Sequence, residues 1–124
     1  MDIKVRKYTQ KDIPIMIEIW NEIVEEGIAF PQEELLTQET GEEFFAEQSY
    51  CGVAYENSNE EILGLYILHP NNVGRCSHIC NASYGVLNGY RGNHIGESLV
   101  KDCIAVGKKI GFSVLQFNAV VKTN

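Results

Sequence analysis

The stretch that decides the fold is Tyr84-Gly85-Val86-Leu87-Asn88-Gly89-Tyr90-Arg91-Gly92-Asn93-His94-Ile95-Gly96-Glu97-Ser98-Leu99-Val100. An apolar run ending in Val86-Leu87 passes through a glycine-punctuated loop into a segment of helical spacing whose first residues are Ile95 and Gly96. A strand, loop and helix in this order gather unpaired backbone N–H groups and the positive end of a helix dipole at one point. An anionic phosphate binds there without a pocket of basic side chains. Gly92 and Gly96 permit a positive φ or close approach of a ligand to the backbone. Two other phosphate loops are excluded: no Gly-x4-Gly-Lys-Ser/Thr run exists, and Gly85, Gly89, Gly92 and Gly96 have the wrong spacing for Gly-x-Gly-x-x-Gly.

Working outward, residues 2–8 alternate as a first strand, with Ile3 and Val5 set against Lys4 and Arg6. Asp12 is expected to cap a helix that has Pro14 in its first turn and buries Ile13, Met16, Ile17, Trp20, Ile23 and Val24. Gly27 ends that helix, and a second follows from about Thr40 to Gln48, anchored by Phe44 and Phe45. Tyr50 to Tyr55 and Ile62 to Leu68 form a hairpin about Asn57-Ser58-Asn59, and His78 to Leu87 is a fourth strand. A helix from Ile95 to Lys109 is expected to bury Ile95, Leu99, Cys103, Val106 and Ile110, and Phe112 to Val121 is a last strand. The order is β-α-α-β-β-β-α-β, a single α/β domain.

A chain of 124 residues with 44% hydrophobic and 22% charged residues is a globular domain. Its net charge of −7 argues against nucleic acid as a partner and leaves phosphate capture to local groups; it favours, weakly, a cationic second substrate. No segment is apolar over the roughly 18 residues that a membrane span requires, and no export signal opens the sequence, so a cytoplasmic location is expected. Cys51, Cys76, Cys80 and Cys103 are then reduced thiols. Cys76-x-His78-x-Cys80 puts three ligand-type side chains on one strand face, but no fourth ligand accompanies them, and no metal is expected.

Arg91-Gly92-Asn93-His94-Ile95-Gly96 resembles the acetyl-coenzyme A signature Arg/Gln-x-x-Gly-x-Gly/Ala of the GNAT superfamily of N-acetyltransferases, with His94 in place of the middle glycine. The element order extends the resemblance over the whole chain. It implies a mixed, mostly antiparallel sheet flanked by helices, with the strand after the cofactor helix lying parallel to the fourth and the two splaying apart around pantetheine. It implies that Arg91, Gly92, Asn93, His94, Ile95 and Gly96 wrap the pyrophosphate, and that Asn124 touches coenzyme A. Val86 and Leu87 would lie against the pantetheine arm, at a bulge in the fourth strand, one of their N–H groups facing the thioester carbonyl. The family continues with a further helix, which usually bears a tyrosine that protonates the thiolate, and two more strands. Residues 1–124 therefore read as a GNAT-like domain truncated after its fifth strand, whose open edge suggests a homodimer.

By this resemblance the chain transfers an acetyl group to a primary amine of a small molecule or peptide by direct attack in a ternary complex. The alternative is an acyl-coenzyme A-binding sensor or interaction module without turnover. A base must take the proton of the ammonium. Glu22 and Glu26 on the first helix and Tyr84 on the fourth strand are the catalytic candidates. Asn81 and Asn118, which cannot act as bases, are candidates for orienting the acceptor, and Phe30 for walling its pocket.

Overall fold

The computed structural model describes residues 2–26, 35–70, 79–87, 89–90, 94–111 and 114–120, with 26, 70, 79–81 and 114–120 described through the backbone alone. In chain order these form β1 (Ile3–Lys7), a 3-10 turn (Gln10–Asp12), α1 (Ile13–Glu26), α2 (Gln38–Ala46), β2 (Tyr50–Glu56), β3 (Ile62–Pro70), β4 (Ile79–Val86), α3 (Ile95–Lys109) and β5 (Val114–Val120). The five strands make one sheet in the order β1-β2-β3-β4-β5. β1 to β4 pair antiparallel, and β5 runs parallel to β4. This is the mixed, mostly antiparallel architecture expected from the sequence.

β3 explains why the sheet sits in the middle. Its run Ile62-Leu63-Gly64-Leu65-Tyr66-Ile67-Leu68 is apolar at nearly every position, because both of its faces are covered. Leu65 and Ile67 pack in a cluster with Ile13, Met16, Ile19, Trp20 and Ile23 of α1 and Phe45 of α2. Tyr66 and Leu68 point the other way, to Ile95, Leu99 and Cys103 of α3. Full burial of each such Leu or Ile contributes about 1.5–3 kcal/mol, so the two half-cores are of similar importance to stability. Gly52 makes room for the Tyr66 ring: a Cβ there would lie 2.2 Å from Tyr66 Cε1.

Local signals differ from the sequence reading at several points. Asp12 does not cap the first helix from outside. It lies at the end of the 3-10 turn, and its carboxylate accepts from the Thr9 N–H at 2.7 Å, the Thr9 hydroxyl at 3.1 Å and both arms of the Arg6 guanidinium at 2.7 and 3.1 Å. α2 begins earlier than Thr40, because Thr37 and Thr40 cap each other: Thr40 N–H donates to Thr37 Oγ1 and Thr37 N–H to Thr40 Oγ1. Ile19 is fully buried although the helical stripe omitted it, whereas Ile17 and Val24 are only partly covered. Ile110 is 44% exposed, because α3 ends at Lys109 and Gly111, at φ +102°, turns the chain away. The β3–β4 register is unbroken from Gly64↔Val86 to Pro70↔Cys80, so no bulge interrupts it at Val86. The irregularity falls on β5, where pairing jumps from Ala82↔Phe117 to Ser83↔Ala119 and leaves Asn118 as the extra residue.

Candidate cofactor and acetyl-transfer site

Two features converge at the end of β4. The first is the edge of the strand itself. Leu87 N–H donates to Leu63 C=O at 2.8 Å, so that group faces β3. Strand N–H groups alternate between the two edges, which turns the N–H of Val86 toward the β5 side. The described pairing with β5 reaches Tyr84↔Val120. Among the described residues Gly85 and Val86 therefore pair with β3 alone. Of the two N–H groups that the sequence offered for a carbonyl, Leu87 is committed to Leu63 and Val86 turns to the β5 side. The Tyr90 N–H then donates to Leu87 C=O at 3.0 Å, closing a tight turn in which Gly89 holds φ +95°.

The second feature is the start of α3. His94 is its N-cap, at φ 62° and ψ 15°, and its side chain makes no capping bond. The first helical bond belongs to Ser98, whose N–H donates to His94 C=O at 3.1 Å. The amides of Ile95, Gly96 and Glu97 precede that bond, and no described residue accepts from them. Left-handed backbone at this position explains why the family's pattern has glycine here, and why His94 adopts it at some cost. The imidazole is 86% exposed and points to Glu97, 3.3 Å away, which also pairs with Lys101 at 3.3 Å. Lys101 first, then His94, holds the Glu97 carboxyl below its usual range.

The proton-transfer candidates lie around this junction. Tyr84 is half-buried on the α3 face of β4, its ring against Gly96: a Cβ on Gly96 would meet Tyr84 Cε2 at 3.3 Å. Burial raises its phenol pKa, so at neutral pH it is a proton donor and not a base. On the opposite face, α1 packs on β4 through Ile19 and Ile23. The position of a Cβ on Gly85 coincides with Ile23 Cδ1, 1.8 Å away, so only glycine fits beneath this helix. Glu22, half-buried, is the neighbour of Ile23, and Glu26 is one helical turn further along α1. The backbone of Asn81 pairs with His69 and Gln116, and Asn118 is the unpaired residue of β5. Arg91, Gly92, Asn93, Phe30 and Asn124, all named from the sequence, lie outside the described residues, as do Cys76 and His78. Among the described residues no group of His, Cys, Asp or Glu is arranged to hold a metal ion, and no helix is long and apolar enough to cross a membrane.

Sequence reasoning missed Ile23 and Gly85 as a unit. A glycine inside an apolar strand signals close approach of another element, but it does not say which element arrives.

The acetyltransferase (GNAT) family model matches residues 15–124, which span the whole junction just described. The chain belongs to the GNAT acetyltransferase family. Among curated relatives it is similar to N-acetyltransferase aca1 of Schizosaccharomyces pombe, with 30% identity over 118 residues, 82% of this chain and 56% of that protein. The chain thus spans little more than half the length of that relative. Among solved structures it resembles a GCN5-related N-acetyltransferase from Kribbella flavida, at TM-score 0.82 and 30% identity, covering 96% of this chain and 73% of the other. It shares the fold of a GNAT superfamily phosphinothricin acetyltransferase from Sinorhizobium meliloti solved with acetyl-coenzyme A, at TM-score 0.82 and 20% identity, covering 90% of this chain and 63% of that one.

Proposed function

We propose that this GNAT chain is an acetyl-coenzyme A-dependent N-acetyltransferase acting on a primary amine of a small molecule or peptide. The observation that supports the reading is the start of α3, where the amides of Ile95, Gly96 and Glu97 precede the first helical bond, next in the chain to a β4 whose Val86 N–H turns away from β3. Those amides and the dipole of α3 suit the pyrophosphate, and Arg91, Gly92, Asn93 and His94 complete the wrap by resemblance. Val86 N–H suits the thioester carbonyl. When the amine nitrogen attacks that carbon, the oxygen gains charge, and a fixed N–H in a dry site stabilises it.

The remaining steps are proton transfers. The attacking ammonium first loses a proton, for which Glu22 is the proposed acceptor, with Glu26 on the same helix face. The C–N bond forms, the C–S bond breaks, and the thiolate leaves with the sulfur electron pair, while the nitrogen gives up its second proton, which restores the group that protonates the sulfur. Tyr84, kept protonated by burial, is the proposed donor to it. Asn118 and Asn81 are proposed to orient the acceptor, and β5, last in the described sheet, to pair with a second copy.

A module that binds acyl-coenzyme A without turnover is the competing reading. Thermal unfolding with acetyl-coenzyme A, followed by thiol release on an amine panel, separates the two. A ligand at about 100 times its Kd stabilises the fold by about 2.7 kcal/mol. A raised Tm with thiol release supports the enzyme, a raised Tm alone supports the module, and an unmoved Tm contradicts both.

A further inference from the structure

The first turn of α3, the seat of the pyrophosphate in the reading above, contains an anion of its own, Glu97. A glutamate at the third position of a helix ordinarily folds back over the helix start, where free amides and the positive end of the dipole attract a carboxylate. There it would compete for the amides that a pyrophosphate needs and repel the phosphate charge. Glu97 is turned elsewhere. Its Oε2 lies 3.3 Å from His94 Nδ1, and its Oε1 lies 3.3 Å from Lys101 Nζ, one turn further along the helix. Among the described residues neither oxygen accepts from a backbone amide. All three side chains are exposed, so each contact alone contributes little. Placed on the two oxygens of one carboxylate, however, the two partners decide which way it leans.

We propose, resting on the acetyl-coenzyme A reading above, that Lys101 is a positioning residue: with His94 on the other oxygen, it draws the Glu97 carboxylate off the start of α3. The amides of Ile95 and Gly96 thereby stay open to the pyrophosphate. Lys101 springs from the second turn of α3 and is engaged with Glu97, so it acts through Glu97 and not on the cofactor. Released from Lys101, Glu97 becomes a competing anion tethered at the seat. A net charge of −7 supplies no long-range attraction to offset it.

The test is calorimetric binding of acetyl-coenzyme A at low ionic strength, with Lys101→Met made in two backgrounds, the wild type and Glu97→Gln. In the wild type the substitution is expected to weaken binding about 2- to 5-fold, the size of one charge at a helix end. In the Glu97→Gln background it is expected to cost nothing, because no carboxylate remains to be held. Lys101→Arg, which keeps the charge, is expected to bind as the wild type does. An equal cost in both backgrounds assigns Lys101 to the cofactor itself or to the general field of the protein, and overturns the proposal alone. No cost in either background overturns it too. A wild type that does not bind acetyl-coenzyme A overturns the reading beneath it as well.

Discussion

At the scale of single residues, three buried or strained groups carry measurable consequences. Tyr66 sits fully buried over Gly52, and its hydroxyl donates to Asp102 Oδ2 at 2.6 Å. Burial and then this bond keep the phenol protonated far above the usual range. Tyr66→Phe is expected to cost about 1–2 kcal/mol, read as a lowered denaturant midpoint with an unchanged slope, because a bond to a charged acceptor is lost and the ring packing stays. Asp12 behaves differently. Burial pushes its carboxyl upward, but Arg6 and Thr9 outweigh that and hold it below the ordinary value. Its contribution is therefore complete above the unfolded carboxylate pKa of about 3.9 and is lost as pH falls through the lower folded value. The Tm of the wild type should drop more steeply below about pH 4 than that of Asp12→Asn, and equal slopes would contradict the pairing. His94 is the strained position. His94→Gly relieves a left-handed backbone worth about 1 kcal/mol and returns part of that through a looser unfolded chain. A stability gain of about 0.5 kcal/mol or less is expected.

At the scale of elements, α1 is held on two sides. Ile23 meets β4, and from the other side Asn21 clamps the chain entering α2: its amide nitrogen donates to Leu36 C=O at 2.9 Å, and Leu36 N–H donates to its oxygen at 2.7 Å. Asn21→Ala removes both bonds, and about 1–2 kcal/mol of destabilisation follows; Asn21→Asp keeps the acceptor and should lose less. The sequence made the strand–loop–helix and all five strands legible, since turn residues and apolar runs are local signals. It did not make Asn21 legible, because a polar residue on a helix that accepts and donates to a distant backbone looks the same as one in water. Asp12 was misread for the related reason that its partner, Arg6, comes from the preceding strand. Ile19 was left out because the stripe was drawn too narrow: one turn before Ile23, it reaches the same spot over Gly85, its Cγ2 3.9 Å from the place of a Cβ there. The positions of Val86 at the end of β4 and of Ile95 and Gly96 at the start of α3 were legible from pattern. Which way the N–H groups of Val86 and Leu87 turn was not, because that depends on strand pairing.

At the scale of the whole molecule, charge is sorted by layer. α1 and α2 contain no Lys or Arg, and Glu18, Glu22, Glu25, Glu39, Glu42 and Glu43 lie on them. The opposite face is mixed: α3 carries Lys101, Lys108 and Lys109 beside Glu97 and Asp102. An amine approaching from the α1 side enters a field of one sign, so a cationic acceptor is favoured. KM for such an amine should rise as ionic strength goes from about 0.01 to 0.15 M, where the screening length contracts from about 30 to 8 Å. KM for a neutral hydroxylamine-type acceptor should not. Identical salt dependence for both would remove the field from the account.

The central claim is that the amides at the start of α3 and the last N–H of β4 together receive acetyl-coenzyme A, and amide-resolved NMR during a titration reads those groups directly. The account predicts large shifts at Val86, Ile95 and Gly96 that saturate together, with the amides of Lys4 to Lys7 on β1 unmoved. Saturable binding that leaves Val86, Ile95 and Gly96 where they were would contradict it.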